Sequence, residues 1–144
     1  MKVYMVRLLF IGATALAAAQ LVQPLAPTPE CRTTRTHEFF TDPTVDPSVR
    51  EILKRSCADC HSNQEHLPWY AHVAPMSWLI AGHIERGRLK LNFSEWPEHS
   101  RNLRQDIADS IDKDEMPLPS YLWVHGSARL TMQEKGTIEQ ADLP

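Results

Sequence analysis

The chain has 144 residues, with Lys+Arg 15 against Asp+Glu 18 and a formal net charge of −3 at pH 7. Its 42% hydrophobic and 23% charged residues are typical of a globular protein and exclude a wholly disordered or collagen-like chain. The size allows one compact domain plus a targeting segment. No basic run is present, which argues against nucleic acid as a partner, and three cysteines are too few for a disulfide framework.

The N-terminal segment has the pattern of an export signal. Lys2 and Arg7 precede an apolar stretch from Leu8 to Ala19, and small alanines close it. We therefore predict a secretory signal peptide or an uncleaved membrane anchor over residues 1–22, and a periplasmic or membrane-anchored location facing the periplasm for the rest. A buried N-terminal core helix is the remaining alternative.

The next segment, residues 23–45, is predicted to be a tether, because it is rich in Pro and Thr and shows little periodicity. It contains Cys31. The residues before this cysteine, Thr28-Pro29-Glu30, do not match a lipid-attachment site. We interpret Cys31 as an unpaired thiol whose role the sequence leaves open.

The third segment, residues 46–144, is predicted to be an all-α domain with long loops. Asp46-Pro47 combines an N-cap residue with a proline at the first helical position, and Thr131 with Glu134 has the spacing of a capping box. Apolar residues recur at helical spacing and no alternating strand pattern is present. The predicted helices cover residues 47–57, 75–87, 97–113 and the region from 131 onward.

The strongest chemical signal is Cys57-Ala58-Asp59-Cys60-His61, a C-x-x-C-H motif. This motif is the attachment signature of one covalently bound c-type haem. Residues three and four apart share a helix face, so two thiols can bond the two vinyl groups while His61 binds the iron. A redox dithiol lacks its usual βαβ context here, and a zinc site lacks a second ligand pair.

The sixth iron ligand is predicted to be Met116, in the run Asp114-Glu115-Met116-Pro117. Proline disfavours helix at the preceding residue, so a stiff loop can present the methionine sulfur before the last helix. Core filling is the ordinary role of a methionine. The alternatives for the sixth ligand are His125, His83 and Met76.

These motifs resemble those of a bacterial haem-binding domain family of small monohaem c-type proteins. The resemblance rests on Cys57 to His61, Pro68-Trp69-Tyr70, Ser77-Trp78-Leu79-Ile80, Leu91-Asn92-Phe93-Ser94-Glu95-Trp96, Glu115-Met116-Pro117, Tyr121 and His125. It implies a cytochrome c-like helical fold around a single haem outside the cytoplasm, an N-terminal membrane segment and His61 as proximal ligand. It also supports Met116, although the family keeps a histidine at the position of His125. Leu67 departs from the family, which usually has tryptophan there.

The predicted function is that of an exported monohaem cytochrome c, an electron carrier rather than an enzyme. It would carry single electrons between periplasmic redox partner proteins that the sequence does not identify, and the N-terminal segment could tether it to the membrane. The main alternative is a haem-based gas or peroxide sensor, or a small peroxidase, in which the sixth iron site is open or labile. A haem-bearing subunit of a larger oxidase complex is the third possibility.

Overall fold

The computed structural model describes residues 2–22, 38–63, 67–96 and 103–143. Within these ranges the chain forms α-helices and short 3₁₀ turns without a β-strand, which confirms the all-α prediction. The helices are α1 Lys2–Val22, α2 Pro47–His61, α3 Met76–Lys90, α4 Leu103–Asp112, α5 Pro119–Leu122 and α6 Met132–Gln140. The 3₁₀ turns are Phe39–Thr41, Trp69–His72, Phe93–Glu95 and Gly126–Ala128.

Helix α1 has 21 residues, none of them buried, and it is long and apolar enough to cross a membrane. It begins six residues before the apolar stretch seen in the sequence, because Val3 to Val6 continue the apolar surface. The alternative of a buried core helix is therefore wrong. A signal peptide and a membrane anchor both remain compatible with this helix.

The predicted helix caps are present. The Asp46 carboxylate accepts a hydrogen bond from the backbone N–H of Ser48 at 2.7 Å and so caps α2. Thr131 and Glu134 form both bonds of a capping box at the start of α6. The start of the third predicted helix, at residues 97–102, lies outside the described residues, and the short helix α5 was not predicted.

The core lies between α2, α4, α6 and two aromatic turns. Phe39 packs on Phe93 and Trp96 with ring centroids 5.1 and 4.6 Å away. Phe39 and Val45 are fully buried although they fall in the segment predicted as tether, so the folded domain includes residues before Asp46. The buried cluster consists of Phe39, Val45, Val49, Leu53, Phe93, Trp96, Ile107, Ile111 and Ile138.

Candidate functional site

The last turn of α2 carries Cys57, Cys60 and His61, so the structure brings these three predicted site residues together. Cys57 packs against the buried core cluster, and Cys60 and His61 are half-buried. The helix ends at His61, because Ser62 adopts extended backbone angles. The predicted attachment residues therefore lie on one helical turn, at the point where the chain leaves the helix.

The ring of His61 is oriented by a backbone carbonyl. Its Nδ1 lies 2.9 Å from the carbonyl oxygen of Leu91, the residue that follows α3. A protonated Nδ1 donates to this oxygen and leaves Nε2 as the metal-binding nitrogen, the usual arrangement of a histidine ligand. Burial lowers the pKa of His61 and favours the neutral imidazole, which is the form that binds a metal.

Gly87 provides the space in which α3 approaches the end of α2. A Cβ built at Gly87 would lie 3.1 Å from the carbonyl oxygen of Cys60 and 3.3 Å from Cε1 of His61. The sequence predicts the end of α3 near Gly87, and the helix continues three residues further, to Lys90. Gly87 therefore allows close packing of α3 on the end of α2 without ending the helix.

Both cysteines are half-buried free thiols. Burial, the largest cause in both cases, raises the pKa of Cys57 to about 12 and that of Cys60 to about 11. Reactive dithiols instead have a depressed pKa. Within the ranges that the structure describes, no group of three or more His, Cys, Asp and Glu side chains could hold a metal ion. Two thiols and one histidine on a single helical turn are the side chains that the C-x-x-C-H attachment of haem requires.

Met116 lies on a loop whose path is set by the end of α4. Asp114 has a φ of 53°, a left-handed conformation that Asp tolerates better than most residues. The N–H of Glu115 donates to the Ser110 carbonyl at 2.9 Å and that of Asp114 to the Ile111 carbonyl at 3.1 Å. This hydrogen-bond pair is a Schellman motif, and it ends α4 at Asp112, four residues before Met116.

The loop is also tied to α6, since Lys135 Nζ lies 2.8 Å from the Asp114 carboxylate and donates to the Ile111 carbonyl. Met116 is half-buried and lines a cavity of about 560 Å³ together with Leu122, Trp123 and Leu130. Neither His61 nor the two cysteines line this cavity. Met116 therefore shares this cavity with residues of α5 and of the segment before α6.

A polar cluster that the sequence did not predict connects α2 with the segment after Met116. The Tyr121 hydroxyl donates to the Asp59 carboxylate at 2.7 Å, and burial, followed by this bond, raises the pKa of Tyr121. The ring of His125 stacks on Tyr121 with centroids 4.0 Å apart. No spacing rule could reveal pairs separated by 62 residues.

The alternative sixth ligands differ in their surroundings. His125 Nδ1 lies 3.2 Å from the Tyr121 carbonyl, and its Nε2 lies 3.0 Å from the Tyr70 hydroxyl. Both ring nitrogens of His125 therefore have hydrogen-bond partners. His83 is half-buried on α3, and Met76 is 46% exposed at the start of that helix.

Comparison with known proteins identifies one family. A family model described as a haem-binding domain matches residues 14–141. This match covers the second half of α1, the C-x-x-C-H turn and the Met116 loop. No curated protein and no solved structure matches the chain.

Proposed function

The chain belongs to the haem-binding domain family, and from this premise we propose that it is a monohaem c-type cytochrome that carries single electrons between redox partners outside the cytoplasm. The observation that carries the proposal is the C-x-x-C-H turn with its oriented histidine. His61 already has the Nδ1 partner of a metal ligand, and Gly87 leaves room for its ring against α3.

In this proposal Cys57 and Cys60 form the two thioether bonds, His61 is the proximal ligand and Met116 supplies the sixth ligand. The bound haem contributes an iron that takes up and releases one electron. The Leu91 carbonyl fixes the ring of His61 and increases its donor strength. Met116 would supply the sixth ligand from its loop, and a methionine ligand favours a higher reduction potential than a second histidine.

The proposed location follows from the charges around α1. Lys2 and Arg7 lie in the first seven residues, and the first basic residue after Val22 is Arg32. Cytoplasmic flanks of membrane helices carry the excess of Lys and Arg. We therefore propose that α1 is an uncleaved anchor with its N-terminus in the cytoplasm, and that the haem domain lies on the opposite, periplasmic side.

The test uses the full haem-loaded chain, purified in mild detergent. We expect the haem to remain attached after denaturation and to undergo reversible one-electron reduction. We also expect low-spin spectra in both oxidation states and no rapid reaction with carbon monoxide. A high-spin spectrum with immediate carbon monoxide binding would instead support the sensor or peroxidase. Loss of the haem on denaturation would contradict covalent attachment.

A further inference from the structure

One end of α3 and the turn before it form an uncharged surface. Residues 67–84 contain no Asp, Glu, Lys or Arg. Five large apolar side chains in this stretch are exposed, by 38 to 77%. We call them the uncharged surface: Trp69, Val73, Met76, Trp78 and Leu79.

The second part of α3 is different. Four of its last six residues are charged, namely Glu85, Arg86, Arg88 and Lys90. Gly87, which contacts His61, lies eleven residues after Met76, or about 16 Å further along the helix. Helix α3 is therefore divided along its length into an uncharged end and a charged end, and the predicted haem attachment is near the charged end.

Helix α1 meets the domain within the uncharged surface. The side-chain amide of Gln20 donates to the Ala74 carbonyl at 3.0 Å, and the Ala74 N–H donates back to the Gln20 side-chain oxygen at 3.3 Å. Ala74 is 1% exposed. Val73 directly before it and Met76 two residues after it both belong to the uncharged surface. The end of α1 is thus held directly against this surface.

The length of α1 then fixes the depth of that contact. A bilayer core of about 30 Å is crossed by about 20 helical residues, and α1 has 21. If Lys2 lies at the cytoplasmic face and the Arg7 side chain extends back to it, Gln20 lies at the opposite lipid–water interface. Because Gln20 is hydrogen-bonded to Ala74, the same placement would bring the side chains around Ala74 to that interface.

We propose that the uncharged surface rests on the outer leaflet of the bilayer, with Trp69 and Trp78 at the level of the lipid headgroups. This inference rests on the proposed anchor role of α1. Tryptophan favours this interface, because its ring is apolar and its N–H is polar. The lipid surface orients the domain, so that the charged end of α3 stays in water, where a redox partner can dock.

The test compares two leucines of α3 in the full haem-loaded chain, reconstituted in phosphatidylcholine vesicles. In a Cys31→Ser background, Leu79→Cys and Leu89→Cys each introduce one cysteine for a bimane fluorophore. Leu89 is the matched control, because it is more exposed, at 81% against 54%, and lies between Arg88 and Lys90. Quenching is measured with nitroxide-bearing lipid and, separately, with aqueous iodide.

We expect nitroxide lipid to quench the label at position 79 several-fold more than the label at 89, and iodide to show the reverse. Equal iodide quenching at both positions would overturn the proposal, because the surface would then face water. Protection of position 79 from both quenchers would also overturn it, in favour of cover by a protein, a second copy or the haem.

A separate control distinguishes this inference from the proposed function. The Cys31→Ser chain without an added cysteine takes up no label if Cys57 and Cys60 are in thioether bonds. Label uptake by that chain would contradict covalent attachment, whatever the quenching shows. The intact mass of the vesicle-bound protein shows whether α1 is retained. Cleavage of α1 would contradict the proposed anchor and is therefore detected independently of the quenching result.

Discussion

The two regions that carry the proposed iron ligands are built differently. His61 lies between two helices, and its position depends on a backbone carbonyl at Leu91 and on the missing side chain of Gly87. Met116 lies on a loop held by a Schellman motif and by an ion pair between Asp114 and Lys135. Backbone packing therefore positions the first ligand, while loop hydrogen bonds and charges position the second.

This difference has a consequence for ligand exchange. Moving His61 requires separating α2 from α3, whereas Met116 can move when one loop opens. We expect changes near His61 to act on haem attachment and overall stability. Changes near Met116 should act mainly on the lifetime of the bond between the iron and its sixth ligand, because loops open locally at lower free energy than packed helices.

The largest effect is expected from the attachment residues. The double substitution Cys57→Ala with Cys60→Ala should abolish covalent haem, because no thiol remains on the turn. Haem staining of the denatured chain after electrophoresis is the measurement. Cys31→Ser is the control and should stain like the wild type. Haem retained by the double variant under denaturing conditions would contradict thioether attachment.

The second effect concerns the contact between α3 and His61. Gly87→Ala should lower the free energy of unfolding by about 1–3 kcal/mol, because the added methyl group overpacks a backbone contact. Gly82→Ala is the matched control in the same helix, since its Cβ would meet only the end of the Arg86 side chain. It should be neutral or stabilising by up to about 1 kcal/mol. The measurement is urea unfolding of both variants, followed by circular dichroism. Equal changes in the free energy of unfolding would show that the contact of Gly87 with the end of α2 does not require a glycine.

The third effect concerns the connection between α2 and the segment after Met116. Tyr121→Phe removes a hydrogen bond to the Asp59 carboxylate and should cost about 1.5 kcal/mol of unfolding free energy. It should also speed the displacement of the sixth ligand by cyanide, because the loop is less restrained. Tyr70→Phe removes only the bond to His125 and is the control. If both variants react with cyanide at the wild-type rate, Tyr121 does not restrain the Met116 loop.

The smallest effect is a pH dependence at the start of α6. The backbone N–H of Thr131, the largest favourable cause, holds the pKa of Glu134 below its ordinary value of 4.5, and Arg55 contributes as well. A lowered folded-state pKa stabilises the fold above that ordinary value, and the contribution disappears as the pH falls through the folded pKa. Glu134→Gln, which can keep the capping geometry, should be less stable than the wild type by less than about 1 kcal/mol at pH 7. The difference in free energy of unfolding between the two proteins should vanish in acid. A difference that persists in urea titrations at acidic pH would contradict this account.

What the sequence could predict was local. The helix caps at Asp46 and Thr131 and the C-x-x-C-H motif each depend on residues within four positions, so their patterns are visible in the chain. The role of Gly87 depends on a helix that ends 26 residues earlier, and no local pattern reveals that contact. The Pro- and Thr-rich surroundings of Phe39 predict a tether, because its core partners Phe93 and Trp96 are more than 50 residues away in the chain.

The central claim, that this is a six-coordinate cytochrome c with a methionine ligand, is tested most directly by near-infrared absorption of the oxidised, haem-loaded protein. The sulfur-to-iron charge-transfer band expected of methionine ligation should be present in the wild type and in Met76→Ala. It should be absent in Met116→Ala. If the Met116→Ala protein keeps the band, Met116 is not the ligand. If the wild type lacks the band and is high-spin, the electron-carrier function is contradicted.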